Sequence, residues 1–105
     1  MPRWLPRVLE RIRKLAALGA VRLTYKAERE AVALGLGLED VRDVLGGLGV
    51  PDWAGRLASE VTGEWMYLFK PELGGHVIYT KIVLRERCVV VSFHEDDSAC
   101  NDEED

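Results

Sequence analysis

Apolar residues recur along this chain at two different spacings. Leu5, Val8, Leu9, Ile12, Leu15 and Ala16 are separated by steps of three and four, which gathers them on one side of a helix. Pro6 suits the first turn of that helix, and Gly19 a stop. The same spacing predicts a second helix over 26–34, ended by Gly35 and Gly37. A third is predicted over 38–45, with Val41, Val44, Leu45 and Leu48 as its apolar stripe. A short strand is expected over 21–25, and a loop containing Pro51 over 49–59. Over 61–70 the step shortens to two. Trp65, Tyr67 and Phe69 then face one way, and Met66, Leu68 and Lys70 the other.

The stretch from His76 to His94 predicts a β-hairpin with unlike faces. Ile78, Ile82 and Leu84 alternate on its first arm; Val89, Val91 and Phe93 alternate on its second. Arg85-Glu86-Arg87 separates the arms. A turn of two or four residues puts these six apolar side chains on one face. It puts Tyr79, Lys81, Ser92 and His94 on the other, and a slip of one residue would mix the two sets. Three helices and then antiparallel strands make an α+β domain, its helices on one face of the sheet. The second face stays open to solvent.

Charge alters this picture at the C-terminus. The 105 residues carry a formal charge of -4, but seven acidic residues lie within 95–105. The first 94 residues hold 14 basic and 11 acidic side chains, about +3. We therefore expect one domain over 1–94 and a disordered acidic tail over 95–105. That tail serves as a solubilising end, or folds back and competes with nucleic acid for a basic site. No apolar run nears 18 residues, so no membrane span is expected, and Arg7, Arg11, Arg13 and Lys14 break the first 18 residues, so no signal peptide is expected either. Cys88 and Cys100 have no metal-ligand spacing, which suggests a reduced, cytoplasmic protein without a metal or other cofactor.

No nucleotide-binding glycine loop, zinc spacing or nucleophile elbow is present. What remains is the polar hairpin face. Tyr79 and Lys81, two apart on a strand, point the same way. His94 brings an imidazole, the side chain that changes charge near neutral pH. Lys70, Arg56, Arg85 and Arg87 can add positive charge. Taken singly, each has a plainer reading: a packing tyrosine, a solubilising lysine, a solvated terminal histidine. Together they suit metal-independent RNA cleavage. A base takes the ribose 2′-OH proton, an acid protonates the leaving 5′ oxygen, and cations offset the phosphate charge.

The chain also resembles the MqsR family of bacterial toxins. The resemblance runs from Leu5 to Gly19, through VRLTYKA and GLGLEDVRDVLGGL, then GEWMYLFKPEL and GGHVIYTKIVLRERCVVVSF. It implies a RelE-like fold and a sequence-selective endoribonuclease that cuts mRNA. It also implies a type II toxin–antitoxin pair, with a cognate protein antitoxin as partner. The family's catalytic tyrosine falls on Tyr79, its strand lysine on Lys81, and its basic residue before proline on Lys70. Three positions depart from the family: Gly55 (beside Arg56) and His94 stand for lysines, and Met66 for a glutamine. Taken together with the charges on and near the polar face, this gives Tyr79, His94 and Lys81 as the expected catalytic residues, and Lys70, Arg56 and Arg85 as the expected phosphate binders. Two rival readings keep the fold. One is a non-catalytic RNA-binding module. The other is an interaction domain whose edge strand pairs with an antitoxin or with a second copy of the chain.

Overall fold

The structure is a computed structural model and describes residues 1–96; the rest of the expected acidic tail lies outside the described residues. Helix α1 (Leu5–Ala17) buries all six residues of its apolar stripe. No side chain caps its N-terminus at Trp4. A missing cap costs about 1 kcal/mol, whereas each fully buried Leu or Ile contributes about 1.5–3 kcal/mol. Packing therefore sets this helix, not its ends.

Strand β1 (Val21–Leu23) stops earlier than its pattern suggests because Thr24 caps the next helix. Its Oγ1 accepts the Ala27 amide at 3.1 Å and donates to the Val91 carbonyl, while its own amide donates to Val90 O. Helix α2 (Tyr25–Ala33) buries only Ala27 and Ala31. Small side chains let it lie close along the last strand. Helix α3 (Leu38–Gly46) buries Val41 and Leu45, and the Asp40 carboxylate accepts the Gly37 amide at its start.

The expected loop over 49–59 is instead a 3-10 turn (Val50–Asp52) followed by an edge strand, β2 (Trp53–Ala58). Gly55 sits there at φ +135°, next to a register shift between Trp53 and Gly55. A bulge of this kind erases the alternation that marks a strand. Strand β3 (Trp65–Phe69) begins four residues later than expected. Ser59 Oγ accepts the Val61 and Thr62 amides, which holds a turn before it. Strand β4 (Glu72–Leu73) makes a tight hairpin with β5 (His76–Leu84) through Gly74 and Gly75, both at positive φ. Strand β6 (Cys88–Glu95) runs one residue into the stretch expected to be tail.

The sheet order is β1-β6-β5-β3-β2, with β4 on β5 and only β1 parallel to its neighbour. Helices packed on a mostly antiparallel sheet make this an α+β fold, consistent with the RelE-like assignment. No helix among the described residues is long and apolar enough to cross a membrane.

One part of the expected hairpin is corrected. Tyr79 pairs with His94 and Lys81 with Ser92, as the pattern required. The next pair is Ile82 with Val90, so Val91 is an extra residue. Parity flips beyond it. Cys88 and Val90 are buried with Ile78, Ile82 and Phe93, while Val89 and Val91 are only half-buried. Thr80 joins the core face, its hydroxyl bonded to the Ile78 carbonyl.

Two expectations test this packing. Ile82→Ala should cost about 2–5 kcal/mol in urea unfolding, whereas Val77→Ala, at a 39% exposed site, should cost under about 1 kcal/mol. Burial also pushes the Cys88 thiol up to about 12. The unfolded thiol ionises from about pH 8.5, so the folded chain should lose stability as pH rises from there towards 12. A Cys100→Ser variant should accordingly show a thiol that labels only at the rate of unfolding.

Candidate nuclease face

The open face is built by register. Tyr79 and Lys81 project from β5, and Ser92 and His94 from β6 directly opposite. Lys70 follows Phe69, which pairs with Thr80, so Lys70 comes up beside Tyr79. The rings of Tyr79 and His94 stack, with centroids 5.1 Å apart and planes 18° apart. Lys81 Nζ lies 5.8 Å from the Tyr79 ring. Tyr79, His94, Lys81 and Lys70 are half-buried, held in place but reachable, whereas Ser92 is buried.

Both nitrogens of His94 face acceptors. Nδ1 is 2.9 Å from the Glu95 carbonyl, which can only accept, so Nδ1 carries a proton. Nε2 lies 3.9 Å from Glu30 Oε2. A neutral imidazole donates from one nitrogen only; the protonated ring donates from both. At 3.9 Å the Glu30 oxygen is beyond hydrogen-bond range, so Nε2 is the ring nitrogen left open to a substrate.

Helix α2 adds two residues that sequence reasoning missed. Lys26 Nζ donates to Ser92 Oγ at 2.9 Å and lies 3.5 Å from Glu30 Oε1. Glu30 Oε1 also accepts the Phe93 amide at 3.1 Å. The pair is legible in the sequence only as an i, i+4 salt bridge on a helix, a pattern that is usually solvated surface. Their link to β6 spans more than sixty residues. Lys70 is not idle either: its Nζ forms a 3.2 Å ion pair with Asp96.

The remaining expected phosphate binders are placed elsewhere. Arg56 pairs across the sheet with Tyr67, on the helix side. Its guanidinium is stacked 4.3 Å from the Trp4 ring and 3.8 Å from the Trp65 ring. Trp4 in turn meets Trp53 edge-on and Tyr67 at a tilt, so Trp53 packs inward. Arg85 sits in the hairpin turn, six residues along from Tyr79, or about 20 Å at ~3.3 Å per residue. Two hydrogen bonds tie it to Glu64, at 2.7 and 3.0 Å. They hold the Glu64 carboxyl below its usual range and raise the guanidinium. The two departures, Gly55 and Met66, do lie on the open face: Gly55 neighbours Leu68, which pairs with Lys81, and Met66 pairs with Val83. Among the described residues no three His, Cys, Asp or Glu side chains are grouped to hold a metal.

The chain matches the family described as "Motility quorum-sensing regulator, toxin of MqsA" over residues 6–95. It belongs to the MqsR toxin family. By that membership it is a toxin of a toxin–antitoxin pair. The match covers every strand and helix described above except the first residue of α1, so the stacked Tyr79–His94 pair lies within it. No curated protein matches the chain.

Proposed function

We propose that this toxin is a metal-independent endoribonuclease that cuts mRNA in a sequence-selective way in the bacterial cytoplasm, and that a cognate protein antitoxin neutralises it. One observation carries the reading: the Tyr79–His94 stack, flanked by Lys81 and Lys70 on one accessible sheet face. A phenol, an imidazole and two ammonium groups can supply the base, the acid and the cations of a metal-independent phosphodiester transfer.

The ribose 2′ oxygen attacks the adjacent phosphorus, and its proton passes to the Tyr79 hydroxyl as that group releases its own to water. His94 Nε2 gives a proton to the departing 5′ oxygen as the P–O5′ bond breaks. The products are a 2′,3′-cyclic phosphate and a 5′-hydroxyl end. Lys81 and Lys70 offset the charge that builds on the phosphate, where preorganised donors act most strongly. Lys26, anchored on Ser92, adds a third cation. Lys70 exchanges Asp96 for phosphate when RNA arrives.

Purified protein should cut mRNA in EDTA. Tyr79→Phe and His94→Ala should each slow cleavage by about 10²-fold or more. Arg85→Ala should leave the rate near wild type, since Arg85 lies far from the stack. Intact RNA with wild-type protein would contradict the proposal. RNA binding with a steep salt dependence but no product would favour the non-catalytic reading.

A further inference from the structure

We infer that Glu30 is a positioning residue for His94: its carboxylate, held on the backbone of β6, aims the imidazole so that Nε2 can deliver its proton. The inference rests on the nuclease reading above, in which His94 is the acid.

Besides its ion pair with the exposed Lys26, the Glu30 carboxylate has two tasks. Oε1 accepts the Phe93 amide at 3.1 Å, and Oε2 lies 3.9 Å from His94 Nε2. The Phe93 amide sits on the edge of β6 beyond β1, which pairs only as far as Val90. Without Glu30 that backbone donor would have no strand to meet. The carboxylate thus closes the sheet edge and, from that fixed place, presents a negative charge to the next residue along.

The rest of the surroundings leave this job to Glu30. Tyr79 lies against one face of the His94 ring and holds its plane. The Glu95 carbonyl fixes Nδ1. The other charges nearby are engaged in their own pairs: Lys26 with Ser92 and Glu30, Lys70 with Asp96, and His76 with Glu95. Lys81 stands over the Tyr79 ring and is a cation, so it cannot receive an Nε2 proton. Among the described residues, the Glu30 carboxylate is the acidic group that comes within 4.0 Å of a His94 nitrogen. Helix α2 can bring it there because Ala27 and Ala31 are small enough to let the helix approach β6.

The proton path is simple. Nε2–H passes its proton to the 5′ oxygen, leaving a neutral ring with a lone pair at Nε2. Water restores the proton, and the carboxylate, 3.9 Å from Nε2, keeps the ring facing the same way for the next turnover. Glu30 neither gains nor loses a proton.

Glu30→Gln separates this role from a structural one. The amide oxygen still accepts from Phe93, and the lost pair with the exposed Lys26 is worth little, so the urea midpoint should stay close to the wild-type value. The amide N–H₂ now faces Nε2 as a donor, the reverse of what the carboxylate offers. Cleavage should then fall in kcat by about 10- to 100-fold with KM unchanged, as when a group that orients a reacting side chain is lost. Glu30→Ala should show the same kcat loss together with a lower urea midpoint. The second readout needs no turnover. In wild-type protein the His94 ring protons should be shifted upfield by the Tyr79 ring, and Glu30→Gln should move them towards the values of a free histidine. Wild-type kcat in Glu30→Gln, unchanged ring shifts, or a loss confined to stability and KM would each overturn the inference. Wild-type protein that shows the ring shifts yet cuts no RNA would instead overturn the nuclease reading.

Discussion

The pairing of β5 with β6 governs this molecule. Placing Tyr79 opposite His94 also places Thr80 opposite Phe93 and Ile78 opposite Glu95. One register therefore does two things. It turns Ile78, Thr80 and Phe93 towards the helices, where each is at most 2% exposed. It turns Tyr79, Lys81, Ser92 and His94 the other way. Moving either strand by one residue would bury a lysine and expose a phenylalanine. Hydrophobic burial thus fixes the positions of the chemical groups.

The Val91 bulge refines that arrangement. It lets the turn end of the hairpin bury Cys88 and Val90 while the far end keeps its own parity. It also sits where Thr24 bonds β6, with Oγ1 on the Val91 carbonyl and the amide on the Val90 carbonyl. Helix α2 starts from that anchor and continues along the strand edge. The edge of β6 is thereby covered partly by β1 and partly by helix side chains, which limits unwanted strand pairing. The same covering brings Lys26 and Glu30 to the open face.

Much of this was legible in the sequence, and the gaps have physical causes. Helix α1 was plain because six apolar residues repeat at one period and all are buried. The Tyr79, Lys81 and His94 face was plain because period-2 alternation is strict from Ile78 to Lys81. The bulge was not, because Val89, Val90 and Val91 are identical and carry no parity. Strand β2 was missed because Gly55 and a bulge break its alternation. Arg56 and Arg85 were grouped with the site on charge alone, yet charge does not say which face a side chain takes. Trp4 and Trp65 draw one guanidinium away and Glu64 the other. Glu30 was invisible for the opposite reason: its partners lie more than sixty residues distant.

Binding of an uncleavable RNA, its 2′ oxygens methylated, tests the central claim most directly when followed residue by residue in NMR spectra of the full chain. The account predicts that the largest shift changes fall on Tyr79, Lys81, Ser92 and His94, with Lys70 beside them. Changes centred on Arg56, Trp4 and Trp65, or along the outer side of α1, with the hairpin face unmoved, would contradict it.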